Sequence, residues 1–209
     1  MSRSFFISLD GLDGTGKSTQ CRLLADWLRV RGHEVTECRD PGGTELGSMI
    51  RDLLLDRRQD MSVACEAFLF MASRTQLVRE VIRPALAAGR VVVCDRYLLA
   101  NVVYQGHAGG LDPALLWQMG SLATEGLLPD PTILLDAPLE VALRRLKGPA
   151  DRMESRDAAY QGRVREGFLL EARRAPERIK IINAAQTPEA VHARICEEVA
   201  RVLATGSRT

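Results

Sequence analysis

Five short runs of aliphatic and β-branched residues punctuate the chain, at 5–9, 35–38, 91–94, 132–135 and 179–182, each bounded by charge, glycine or proline. Apolar runs of this length without polar alternation are the pattern of strands buried on both faces. The stretches between them carry helical spacing instead. Leu23, Leu24, Trp27 and Leu28 form a stripe after Ser18, and Gly32 is placed to cap that helix. A longer helical pattern covers about 63–88, with Pro84 as a kink or early stop and Gly89 closing it. Asp112-Pro113 and Thr187-Pro188 each read as an N-cap followed by proline in the first helical position. Strands alternating with helices predict an α/β fold with a mostly parallel sheet covered on both faces.

One stretch breaks the pattern. Residues 147–157, KGPADRMESRD, are too charged to join a core and predict a surface loop. No repeat, low-complexity tract or linker interrupts the rest, so the 209 residues are expected to form one domain.

Composition narrows the classes of function. The 28 basic and 27 acidic residues leave a net charge of +1, without the basic excess of a protein that binds nucleic acid polymers. No run approaches the ~20 apolar residues that span a bilayer, and residues 5–9 are too few for a signal peptide's apolar region. The five cysteines lie far apart with no C-x-x-C pair, as expected of reduced structural thiols in a cytoplasmic protein.

Chemistry enters directly after the first strand. Gly11-Leu12-Asp13-Gly14-Thr15-Gly16-Lys17-Ser18 satisfies G-x-x-x-x-G-K-[ST] at every specified position, and Thr19 follows it. Glycines there let consecutive backbone N–H groups turn around phosphate oxygens, and the next helix offers its N-terminal donors to the same anion. Lys17 would reach the β- and γ-phosphates of a bound nucleotide, and the Ser18 hydroxyl would hold Mg²⁺. Lys17 is one of only three lysines among the 28 basic residues, so an ammonium is used here against the chain's habit of writing arginine. Asp95, at the end of the third strand, is a second candidate ligand for Mg²⁺. The competing reading of Asp95-Arg96 is an ordinary pair at the start of a helix.

A P-loop does not choose a reaction. Neither Asn101 nor Asn183 is followed by lysine, so the guanine-reading Asn-Lys-x-Asp motif of a GTPase is missing. A kinase needs a second anion site facing the first. Arg39, Arg74 and Arg96 follow strands or lie on a neighbouring helix, and loops after strands converge beyond the carboxyl edge of such a sheet.

The segments GLDGTGKST, RDPGGT at 39–44, FLFMASRTQ at 68–76, DRYLLANVVYQG at 95–106 and RVREGF at 163–168 together resemble bacterial thymidylate kinases over nearly the whole chain. The resemblance implies a three-layer P-loop kinase fold, with a five-stranded parallel sheet and a short mobile lid at about 147–157. It implies transfer of a phosphoryl group from ATP to dTMP, and a homodimer. Phe70 would stack on thymine, Arg74 would hydrogen-bond it, and Arg96 would hold the acceptor phosphate. Tyr104 would lie near the sugar's 2′ position with Gln105 close by, and Asp13 near the acceptor sugar and phosphate. Arg145 and residues 183–187 would neighbour adenine. Without the resemblance, Phe70 reads as core packing.

Departures from the family pattern are few. Asp40 and Asp10 stand where glutamate is usual, Ala100 stands where serine is common, and Asn101 follows as a substitute polar contact to the base. The P-loop carries no arginine among its variable positions, which in this family goes with a catalytic cation in the lid. Lys147, Arg145, Arg152 and Arg156 all stand near, and Arg152 within DRME fits the lid pattern best. The runner-up is a related kinase acting on another nucleotide or on a deoxynucleoside.

Overall fold

The computed structural model describes residues 4–146, 152 and 156–205. Its five strands, β1 (Phe5–Gly11), β2 (Val35–Arg39), β3 (Val91–Asp95), β4 (Thr132–Asp136) and β5 (Ile179–Asn183), form one parallel sheet in the order β2-β3-β1-β4-β5. Each strand runs one or two residues past its hydrophobic run, and Arg39 and Asp95, which end β2 and β3, line the crevice beyond. Only β1, β3 and β4 are buried along their length, while β2 and β5 are part-exposed. The sequence runs look alike, but an outer strand has a neighbour on one side only. Charge marks the β2 edge, where Glu37 accepts from Arg29 at 2.7 Å.

Helix α1 (Lys17–Val30) ends as predicted, with Gly32 at φ 84, and packs with α9 (Pro188–Thr205) on one face of the sheet. There Phe5, Ile7 and Leu9 of β1 meet Leu24 and Leu28 of α1 and Ile195 and Val199 of α9. The opposite face takes Phe6, Val92 and Cys94 against α3 (Val63–Leu77) and α6 (Pro113–Thr124), and Leu134 and Ile179 against α8 (Ala158–Arg174). Asp112 caps α6 by accepting from Ala114 N at 2.9 Å. Thr187 Oγ1 accepts from Ala190 N in the same role for α9.

Pro84 neither stops nor sharply breaks the long helical stretch. A π-helical turn at Val78–Ile82 links α3 to α4 (Arg83–Ala87), which begins around the proline. The wider turn accommodates a residue with no N–H to give and a ring that would crowd the carbonyl four residues back. Four elements not foreseen in the sequence are α2 (Glu45–Leu55), α5 (Leu98–Asn101) with its π-helical continuation Val102–Ala108, α7 (Leu139–Arg145) and α8. Of the charged stretch, Lys147 and most of its neighbours lie outside the described residues, and with them the expectation of a lid.

The chain leaves β1 for β2 on one side of β1 and leaves β3 for β4 on the other, so the switch point lies between β1 and β3. A crevice opens there beyond the carboxyl ends, which is where this class of sheet binds ligands. Below it, Ser8 shares a hydrogen bond with Thr132 Oγ1 at 2.9 Å and donates to Asp10 Oδ2 at 3.3 Å. Asp10 is fully buried. Burial pushes its carboxyl up to about 6, against the pull of Arg96 and Lys17.

A carboxyl raised from its ordinary 3.8 stabilises the fold most when protonated, and that contribution is lost as pH rises through about 6. The stability of the wild type relative to Asp10→Asn, followed by denaturant titration, should therefore increase by about 1 kcal/mol between pH 7 and pH 5. A difference that does not change with pH would sink this account.

Candidate active site

The loop after β1 is shaped by its glycines. A Cβ on Gly14 would sit 2.1 Å from Ala142 O of α7, and Gly16, at φ 94, adopts a backbone that side chains disfavour. Lys17 opens α1, is almost wholly buried, and donates to Leu12 O at 2.7 Å with Asp13 Oδ1 at 3.6 Å. Burial and the like charge of Arg96 lower its pKa, while Asp13 and Asp95 resist. Ser18 Oγ donates to Asp95 Oδ2 at 2.5 Å, so the two candidate metal ligands come together from α1 and β3.

A cleft of about 680 Å³ is lined by residues 13–20, with Arg39, Asp95, Arg96 and Arg145 around it. Gly14, Thr15, Gly16, Lys17, Ser18 and Thr19 all face it; Gly11 lies beneath, closing β1. Arg145 donates to Ala184 O at 2.7 Å and Gln186 O at 3.3 Å, tying α7 to the loop between β5 and α9 at the cleft's edge.

Arg96 joins this cleft to a second one. Its backbone is left-handed, φ 71, which is uncommon for a side-chain-bearing residue and turns it back over the P-loop. Nη1 donates to Gly11 O at 3.0 Å, Nη2 pairs with Asp13 Oδ1, and the guanidinium lies 5.2 Å from the Tyr104 ring centre. Burial alone would weaken the Arg96 charge, but Asp13, Tyr104 and Asp95 outweigh it and raise its pKa. Burial likewise pushes the Asp13 carboxyl up, and Arg96 and Lys17 more than reverse it, so its pKa falls well below the usual range. Tyr104 Oη donates to Asp13 Oδ2 at 3.3 Å.

The second cleft is lined by Phe70, Arg74, Ala100, Asn101, Tyr104 and Gln105, with Asp13, Asp40, Arg51 and Arg96 shared between the two. Phe70 is half-buried, lines the second cleft and, among the described residues, belongs to none of the hydrophobic clusters, so it serves the cleft rather than the core. Arg74 is buried: Nε donates to Asp40 Oδ2 at 2.5 Å and Nη1 to Asn101 Oδ1 at 3.1 Å. Burial raises the Asp40 carboxyl and Arg74 opposes it. Asn101, Tyr104 and Gln105 share one helical side by spacing of three and four, and Asn101 Nδ2 donates to Gln105 Oε1 at 2.9 Å.

Two expected residues do not join this group. Lys147 is outside the described residues. Arg152 lines neither cleft; it donates to Glu66 Oε1 at 2.5 Å and to Leu54 O at 2.8 Å. Conversely, Arg51, Asp40 and Glu66 were not foreseen in their places. Arg51 of α2 donates to Pro41 O at 3.2 Å and borders both clefts. Its one available signal is position, as an arginine one residue after buried Ile50 in an amphipathic helix.

Comparison with known proteins agrees with this geometry. The family model described as thymidylate kinase matches residues 9–195. A thymidylate kinase of Rhodopirellula baltica is 49% identical over 185 residues, covering 88% of this chain and 76% of its own length. One from Oleidesulfovibrio alaskensis is 43% identical over 96% of this chain and 100% of its own. Among solved structures, the thymidylate kinase of Ehrlichia chaffeensis superposes with a TM-score of 0.79 at 31% identity, covering 94% of this chain and 99% of that one. With two adjoining clefts, a complete P-loop and relatives of this identity along almost its whole length, the chain belongs to the thymidylate kinase family.

Proposed function

We propose that the P-loop cleft holds ATP and the cleft of Phe70 and Arg74 holds dTMP, with Arg96 between them. Family membership makes the chain a phosphotransferase that converts dTMP to dTDP with ATP as donor. The observation that carries the site assignment is Arg96, held by Asp13 and Gly11 where the two clefts meet. Phe70 would stack on the base and Arg74 with Asn101 and Gln105 would read its edge. Tyr104 would crowd a 2′-hydroxyl, and Arg39, Arg51 and Arg96 would receive the acceptor phosphate.

The acceptor phosphate has a second pKa near ~6, so at neutral pH it is already the nucleophile and needs no general base. The residues therefore act by position and charge. Lys17 faces the donor phosphates and Arg96 aligns the acceptor, which brings two anions into contact that would otherwise repel. Arg145 borders the adenine side. Arg152 would join the catalytic cations only by leaving Glu66.

Mg²⁺ fits the donor set. Ser18 and Asp95 offer two hard oxygens 2.5 Å apart, and among the described residues no three His, Cys, Asp or Glu side chains cluster around a closed metal cage. Such a site leaves the remaining positions to phosphate oxygens and water, as Mg²⁺ prefers. Bound there, the ion would neutralise phosphate charge.

The cytoplasm suits this reading, and among the described residues no helix is long and apolar enough to cross a membrane. A homodimer would cover the outer side of the packed α2, α3 and α6, which exposes Met49, Leu53, Phe68, Leu115 and Leu122.

A coupled assay with ATP, Mg²⁺ and a panel of nucleoside monophosphates should show dTMP turned over fastest. Lys17→Ala and Arg96→Ala should each lower kcat by roughly 10²–10³-fold with circular dichroism unchanged; an R96A enzyme with wild-type rate and dTMP KM would refute the acceptor-site assignment. Asp95→Asn should raise the Mg²⁺ concentration for half-maximal rate about 10–100-fold, and an unaltered Mg²⁺ titration would remove it as a ligand. For assembly, Phe68→Glu should convert the dimer to monomer in sedimentation velocity; a monomeric wild type would refute the dimer.

A further inference from the structure

Glu66, in the first turn of α3, is fully buried yet lines neither cleft. Its Oε1 accepts from Arg152 Nη1 and Arg156 Nη2, each at 2.5 Å, and its Oε2 accepts from Gln105 Nε2 at 3.1 Å. From there a single row of hydrogen bonds continues. Gln105 Oε1 accepts from Asn101 Nδ2 at 2.9 Å, and Asn101 Oδ1 accepts from Arg74 Nη1 at 3.1 Å. The row starts on a carboxylate and ends on a guanidinium.

That arrangement permits one direction only. A carboxylate receiving two guanidinium donors acts as an acceptor, so Gln105 must turn its NH₂ to Glu66 and its carbonyl to Asn101. Asn101 must then donate to Gln105 and turn its carbonyl to Arg74, which has donors and no acceptor. Both charged ends demand the same order, and a flip of either amide would set buried donors against donors. Countercharge from Arg152 and Arg156 is what allows the carboxylate to sit at the buried end.

The consequence falls on the base. Thymine presents an N3–H donor beside carbonyl acceptors, whereas cytosine presents an N3 acceptor beside an amino donor. Amides free to rotate would serve either edge. We propose that Glu66 is a specificity-determining positioning residue, which fixes the direction of Gln105 and Asn101 and so keeps the pocket selective for thymine over cytosine. This rests on the assignment of the Phe70 and Arg74 cleft to the base.

Glu66→Gln keeps the shape of the side chain, but with its carbonyl held by Arg152 and Arg156 it turns an NH₂ toward Gln105, so this end then opposes the order that Arg74 demands at the other. Wild type and E66Q are compared with dTMP and dCMP at saturating ATP and Mg²⁺. The ratio of kcat/KM for dTMP to that for dCMP should fall about tenfold or more in E66Q, while the KM for ATP stays within about twofold. A folded E66Q with the wild-type ratio overturns the proposal, and so does an equal loss on both substrates, which would mark a structural role alone. Gln105→Leu removes the amide that transmits the order while leaving Glu66 with its two arginines, and the same fall is expected. Should E66Q not fold, a wild-type ratio in Q105L overturns the proposal. A wild type with no preference for dTMP over dCMP would instead remove the base-cleft assignment, before any variant is compared.

Discussion

The ion pair between Arg96 and Asp13 is the contact around which both clefts are built. It ties the loop after β1 to the residue after β3, across the switch point of the sheet, and in doing so brings the P-loop and the acceptor side to a common edge. Arg96 reaches this position through a left-handed backbone, a conformation that costs a side-chain-bearing residue on the order of 1–2 kcal/mol. Hydrogen bonds to Gly11 O and Asp13, together with the Tyr104 ring beside it, hold that conformation. A cation fixed in advance costs little reorganisation when phosphate charge arrives, which is why its position matters more than its mere presence.

Around this pair several charged side chains are buried. Asp10, Lys17, Asp40, Glu66 and Arg74 are all buried, and most are paired across elements rather than within one. Arg74 meets Asp40 from the loop after β2, and Glu66 meets Arg152 and Arg156 from beyond α7. Such pairs are poor sources of net stability, because removing charge from water cancels much of their attraction. Their value lies in orientation: each fixes a donor or acceptor that faces a cleft. Asp10 differs in accepting from a neutral hydroxyl, that of Ser8, and burial raises its carboxyl pKa, so it is held near the site at a cost.

Much of this organisation is legible along the chain. The five strands, α1 with its closing glycine, and the proline-started α6 follow from patterns that operate over a few residues. The P-loop, Asp95 and Arg96 are legible for the same reason, since a motif joined to a strand end places its own side chains. Less legible were the edges of the sheet, where β2 and β5 look as apolar as the centre, and the long helix, where Pro84 was absorbed by a π-helical turn rather than ending it. Phe70 is ambiguous in isolation, because an aromatic at helical spacing belongs equally to a core or a cleft. Only its absence from the hydrophobic clusters and its place on the second cleft separate the two.

The sequence by itself determined the parallel α/β sheet and the phosphate-binding loop, since local periodicity and a contiguous motif carry them, and its wider family pattern marked the residues facing the acceptor. The tertiary structure alone decided which charges are partners. Arg51 beside Pro41, Asp40 on Arg74, and Glu66 joined to Gln105 on one side and to two arginines on the other depend on segments separated by up to 90 positions in the chain. No local pattern records such pairings, because the cost of burying a charge and the partner that meets it exist only once the chain has folded.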